Sequence, residues 1–241
     1  MDDIKVAFCI PVAEAFDPMF VNHAMSIVSY SSKNGVAVTN VGVVERTLIH
    51  QARNILATEF LRTDAEWAFW MDSDIVAPPD VLTRLLRVAK DKSTPFVTGV
   101  YYQRLGMHLP VLWVKDPISK DGEVLKLERK FEDDNLESYR HQHMVPRRGA
   151  NDPLRADVCG FGCVITHRSM LEKLAYPYFK TLSGQCSEDF YFCVEAKKAG
   201  YKLWADPSIV LGHIGKPRVI FRKDFDDKNI NVKEIKRMEE V

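Results

Sequence analysis

The chain has 241 residues, 46% of them hydrophobic, enough for one large domain with a packed core. Lys and Arg number 33, as do Asp and Glu, so the overall field advertises no polyanionic partner. No stretch approaches the roughly 20 consecutive apolar residues a bilayer crossing needs, no signal-peptide pattern opens the chain, and five cysteines lack a disulfide-framework spacing. These features predict a soluble, cytoplasmic protein whose Cys9, Cys159, Cys163, Cys186 and Cys193 are free and mostly buried.

Residues 5–12 form the first predicted strand, apolar and stopped by Pro11. A helix over 20–29 follows, then short strands at 36–39 and 41–44. Residues 47–62 form the clearest helix, with Leu48, Ile49, Ala52, Ile55, Leu56, Phe60 and Leu61 recurring at three and four residues. The run 67–71 is uniformly apolar, as expected of a strand covered on both faces. A helix over 79–90, with Pro79 in its first turn, and a strand over 96–102 complete a βαβαβ-like beginning.

The middle differs in character. Charges and turn residues dominate 115–153, with Glu132, Asp133 and Asp134 followed by Arg147, Arg148 and Gly149, so this segment reads as an inserted, charged flap. Arg129, Lys130, Arg140, His141, His143, Arg147 and Arg148, with Tyr139, make it locally basic, a pattern that could follow a phosphate backbone. A strand over 156–166 contains Gly160 and Gly162, which predict close approach of a ligand or another backbone. A short helix spans 168–175, and the tail after Lys216 is charged and peripheral.

Three places carry chemistry. Strand 67–71 runs into Asp72-Ser73-Asp74, where side chains two apart on an extended segment point the same way and can serve one hard cation shared with phosphates. A solvated turn ending a core strand is the plainer account. Ser187 is placed to cap a helix whose first turn holds Glu188 and Asp189 and which Gly200 ends, an arrangement that ordinary capping also explains. The strand after Leu203 leads to His213, set between Gly212 and Gly215 where backbone can fold close to a ligand.

In this order the three elements resemble GT-A-fold glycosyltransferases, nearest the broad family 2 type of nucleotide-sugar enzymes. The resemblance implies an α/β fold: a single GT-A (Rossmann-like) domain over 1–215 with a mostly parallel central sheet. Residues 1–102 would form the nucleotide-sugar-binding half, 103–215 the acceptor and catalytic half with its flap at 115–153, and 216–241 a charged tail. It implies that Asp72 and Asp74 bind a metal–diphosphate, that His213 completes the metal site, and that Mn2+ (or Mg2+) is the ion. It further implies Asp189 as catalytic base, with Glu188 orienting it or the acceptor. Ala52-Arg53-Asn54 resembles the family's Ala-Arg-Asn element, whose arginine lies near the nucleotide.

The donor side would then comprise Pro11, Glu14, Arg53, Asp72, Ser73 and Asp74. The family's Pro-any-Tyr-Asn is here Pro11-Val12-Ala13-Glu14, and Asn40 stands near the place of its base-reading aspartate. The expected partner is a nucleotide-diphosphate sugar, UDP-linked, and the acceptor a saccharide, a lipid-linked or small molecule, or a hydroxylated base in modified DNA. Transfer with inversion is expected, with a retaining enzyme as the alternative within the class. A nucleotidyltransferase would need a glycine-rich basic loop that 11–18 lacks, and a non-catalytic binding module would not need both Glu188-Asp189 and His213.

Overall fold

A computed structural model describes residues 4–13, 15–104, 108–114, 122–125, 142–147, 149–182, 186–215 and 219–220. Its first half runs β1 (Ile4–Val12), α1 (Pro18–Lys33), β2 (Val36–Glu45), α2 (Ile49–Leu61), β3 (Trp67–Met71), β4 (Ile75–Val76), α3 (Val81–Asp91) and β5 (Phe96–Val100). The second begins with short strands: β6 (Leu112–Val114), β7 (Gly122–Leu125), β8 (Gln142–Pro146), β9 (Leu154–Ala156), β10 (Val158–Cys159) and β11 (Cys163–His167). It continues through α4 (Arg168–Lys173), α5 (Glu188–Lys198), β12 (Leu203–Val210), β13 (Gly212–Ile214) and β14 (Val219–Ile220).

The main sheet has seven strands in the order β2-β1-β3-β11-β5-β12-β9. β1 is parallel to β2 and β3, and β12 to β5, while β11 lies antiparallel between β3 and β5 and β9 antiparallel to β12. Five strands therefore share one direction, which bears out the mostly parallel α/β fold. A four-stranded sheet (β10-β6-β8-β7) and a three-stranded one (β14-β13-β4) attach to it.

Side-chain alternation divides the core between the two faces of the sheet. Ala7, Cys9, Ala68 and Trp70 join the cluster under α2, α4 and α5, whereas Val6, Phe8, Phe69 and Met71 join the one under α1 and α3. The apolar run 67–71 is thus buried on both sides, as its composition predicts. Trp70 Nε1 finds its one partner inside the core, donating to Thr166 Oγ1 at 2.9 Å.

Several boundaries move for local reasons. α1 begins earlier than expected because Pro18 suits a first helical position and Asp17 accepts a hydrogen bond from Met19 N at 2.8 Å. β2 is one strand and not two: the register against β1 skips Thr39, so a bulge absorbs the extra residue and pairing continues. α3 starts at Val81, with Pro79 and Asp80 in the preceding turn. The predicted strand 156–166 breaks into β9, β10 and β11, and the glycines in the break face the Tyr101 side chain while Gly160 N donates to Val111 O and Gly162 O accepts from Asp72 N, each at 3.1 Å. A Cβ on Gly160 would stand 2.1 Å from the Tyr101 hydroxyl, and one on Gly162 2.8 Å from its ring.

Most of the expected flap at 115–153 lies outside the described residues, as do Arg148, Tyr139, the other basic residues between 129 and 141, and nearly all of the tail 216–241. The described parts correct the reading of this segment as wholly peripheral: Met144 and Val145 on β8 are buried. His143 is buried as well. Trp113 Nε1 donates to its Nε2 at 3.2 Å and its Nδ1 lies 2.9 Å from the Pro110 carbonyl, so it is a core residue and not part of a basic stripe.

Candidate functional site

The carboxyl end of β3 is pinned by Asp72 N donating to Gly162 O at 3.1 Å, and Ile75 N then donates to Asp72 O at 3.0 Å. Asp72-Ser73-Asp74 is therefore a turn, not the extended segment expected from the sequence. Its two carboxylates consequently face different partners. Asp72 Oδ1 accepts from Arg53 Nη2 at 2.7 Å, while Asp74 Oδ2 meets Arg104 Nη1 at 2.9 Å and His213 Nε2 at 3.5 Å.

His213 reaches this turn through backbone pairing. It stands opposite Ile75 in the antiparallel contact of β13 with β4, and Ile214 N donates to Asp74 O at 2.7 Å. Its Nδ1 lies 2.7 Å from the Tyr102 carbonyl, which can only accept, so Nδ1 carries the hydrogen. Tyr101 packs edge-on against the ring with centroids 5.3 Å apart.

From the other side comes α5. Arg53 Nη1 donates to Glu188 Oε1, so one guanidinium joins the β3 turn to the first turn of α5. Only 3% of the Arg53 side chain is exposed, and its charge lies over the Phe161 and Phe179 rings at 5.5 and 6.0 Å. Next to it, Asn54 Nδ2 donates to Phe179 O at 2.7 Å and Asn54 Oδ1 accepts from Phe179 N at 3.1 Å, which fixes the stretch leading to α5. Asp189 is partly exposed, and its Oδ1 accepts from Ser187 Oγ and from Phe190 N. Ser187 thus holds the N-cap position without capping a backbone N–H.

Charge and burial compete throughout. Burial pushes the Asp72 carboxyl above its ordinary range despite Arg53 beside it, and Glu188 rises for the same reason. Burial opposes the Arg53 charge, but Asp72, Glu188 and Asp189 outweigh it and hold the guanidinium protonated. Asp74 differs: burial would raise it, yet the His213 ring and Arg104 prevail and keep it below the usual carboxylate value.

Side-chain contacts therefore join Arg53 with Asp72 and Glu188, and Asp74 with His213 and Arg104; the Asp72-Ser73-Asp74 turn connects the two groups, and Asp189 adjoins the first as the neighbour of Glu188. Ser73 lies in the turn itself, Pro11 is buried in β1 opposite Val44, and Glu14 falls outside the described residues. Sequence reasoning passed over Arg104 and Tyr101; only their position just beyond β5, at the same edge of the sheet as Asp72, could have signalled them. Among the described residues, no three His, Cys, Asp or Glu side chains converge closely enough to hold an ion as placed. The donor set nevertheless suits a divalent cation. With its Nδ1–H engaged by the Tyr102 carbonyl, His213 presents Nε2 toward Asp74 Oδ2, and Arg53 engages one oxygen of Asp72, leaving the other.

Residues 6–109 match the Anp1 family, a GT-A-like glycosyltransferase family. No curated protein matches the chain. Among solved structures, A197 from STIV is similar at 17% identity and a TM-score of 0.55, over 90% of this chain and 93% of that one. GalNAc-T7, in a crystal structure with UDP, GalNAc and Mn2+, is similar at 13% identity and a TM-score of 0.55 over 88% of this chain. This chain spans 44% of that one, under half its length. The solved structures share the GT-A-type fold, and the Anp1 match spans under half of this chain. Among the described residues, no helix is long and apolar enough to cross a membrane.

Proposed function

We propose that the protein transfers a sugar from a nucleotide-diphosphate donor, a UDP-sugar in the simplest case, to an acceptor hydroxyl with inversion. The observation that carries this reading is the joining of Asp72 and Glu188 through Arg53, which sets the Asp-Ser-Asp turn and the helix bearing Asp189 on either side of one buried cation. The presence of UDP, GalNAc and Mn2+ in the GalNAc-T7 structure supports the donor class and the ion.

Asp74, His213 and the remaining oxygen of Asp72 would hold Mn2+, or Mg2+ with more oxygen ligands. When bound, the ion supplies neutralisation of the charge that builds on the leaving diphosphate. Arg104, released from Asp74, would turn its guanidinium to a phosphate oxygen. Asp189 acts as general base. Both of its hydrogen bonds fall on Oδ1, so Oδ2 takes the proton from the acceptor hydroxyl as the sugar carbon is attacked. Glu188, bound to Arg53, holds the first turn of α5 in place.

A saccharide or small-molecule hydroxyl fits this chemistry, and a hydroxylated DNA base loses one expected contact because His143 is buried. The test is a panel of nucleotide sugars with Mn2+, followed by mass spectrometry for hydrolysis and for transfer to saccharide, small-molecule and modified-DNA acceptors. Metal-dependent release of UDP with sugar transfer is expected. Release of pyrophosphate with nucleotide incorporation would instead assign a nucleotidyltransferase, and activity undiminished by chelator would remove the metal from the reading.

A further inference from the structure

Arg53 was expected beside the nucleotide, yet both of its terminal nitrogens already point at carboxylates. Nη2 lies 2.7 Å from Asp72, 19 positions along the chain, and Nη1 donates to Glu188, 135 positions away. Two aromatic rings flank the guanidinium, only 3% of the side chain is exposed, and among the described residues its Nε has no hydrogen-bond partner, so the group is fixed by what surrounds it. Asn54, the next residue on α2, clamps Phe179 by a reciprocal pair of hydrogen bonds. Successive residues of one helix thus hold the two stretches that precede and open α5.

We infer that Arg53 is a positioning residue: it sets the distance between the diphosphate-binding turn and the base-bearing helix, and does not itself bind the donor. This rests on the function proposed above. A planar fork can bridge two carboxylates in a fixed geometry, whereas a lysine ammonium is a single mobile charge. If Arg53 turned to a phosphate instead, the buried Glu188 and the half-buried Asp72 would lose their cation, which is costly for Glu188 above all. The link matters because small misplacement of reacting groups costs turnover far more than binding.

The test compares Arg53→Lys, Glu188→Gln and the double variant of the full chain, using UDP-sugar turnover and calorimetric binding of UDP with Mn2+. Each single variant should lower kcat by about 10- to 100-fold, the range for groups that orient functional ligands. Donor KM and UDP Kd should change by less than about threefold. The double variant should be no worse than the poorer single, since both break one link. UDP affinity falling in step with turnover, or effects that multiply in the double variant, would overturn the assignment. Should Arg53→Lys fail to fold by circular dichroism, Glu188→Gln decides alone: unchanged kcat overturns the proposal, and a kcat loss with donor affinity kept supports it. Wild-type protein that neither binds UDP with Mn2+ nor cleaves any nucleotide sugar takes down the functional reading along with it, whereas wild-type activity with an affinity-type defect in the variants defeats the positioning role alone.

Discussion

Asp74 Oδ2 and His213 Nε2 face each other at 3.5 Å, with the other ring nitrogen already committed to the Tyr102 carbonyl. Such a pair is held together only by a proton or by a cation between the two. Mn2+ should therefore bind at this point, and His213→Ala and Asp74→Ala should each weaken it by about 10-fold or more, since even residues behind a metal ligand are worth that much. Calorimetric titration with Mn2+ measures this directly. Circular dichroism should show the Asp74 variant folded, because Asp74 remains 30% exposed. Wild-type Mn2+ affinity in both would exclude this pair as ligands.

Asp189 stands at the open side of the site, bonded through Oδ1 to Ser187 and to the Phe190 amide. Asn at this position keeps the shape and an acceptor oxygen but cannot take a proton. Asp189→Asn should thus lower kcat by roughly 10²-fold or more while UDP affinity persists, in line with general-base contributions. Steady-state kinetics beside UDP calorimetry separate the two effects. A parallel loss of affinity would make Asp189 a binding residue.

The parts of this architecture that sequence makes legible are those governed by local pattern. Five apolar residues in a row require a strand covered on both faces, and 67–71 is one. Acids opening a helix, as at Glu188 and Asp189, follow from capping and dipole preferences and are found there. Long-range pairing is what escapes. Nothing near Arg53 announces that its guanidinium spans from Asp72 to Glu188, because the meeting depends on how α2, β3 and α5 converge. The turn at Asp72-Ser73-Asp74 was equally hidden, since its shape is set by Gly162 and by β13, both far along the chain. Gly160 and Gly162 were recognised as places of close approach, but the approaching group, Tyr101, lies about sixty positions earlier.

Those glycines yield a packing prediction. A Cβ at Gly160 would stand 2.1 Å from the Tyr101 hydroxyl and 2.5 Å from Val111 Cγ1, closer than any real contact. Gly160→Ala should destabilise the protein by about 1–3 kcal/mol, the usual penalty for overpacking, as read from urea unfolding midpoints. Tyr101 also packs against His213, so the same substitution should weaken Mn2+ binding. In a Tyr101→Ala background the penalty should shrink, and an undiminished one would mean that Tyr101 is not the obstruction.

The thiols report on the same end of the molecule. Cys9, Cys159, Cys163 and Cys193 are buried, while Cys186 is partly exposed two positions before Glu188. Burial pushes Cys163 up to about 12 and raises Cys9 and Cys159 as well, so little thiolate forms at these positions in the working range. Cys186 is also raised by burial, and its labelling should therefore accelerate as pH climbs from about 7 to about 9 while Cys163 stays inert. A thiol reagent should find one reactive cysteine in the native protein and all five in denaturant, and Cys186→Ser should abolish the native reaction. Because Cys186 leads into the first turn of α5, UDP with Mn2+ should slow its labelling if the donor seats against that turn. Identical rates with and without UDP and Mn2+, in a protein shown by calorimetry to bind them, would move the donor away from α5.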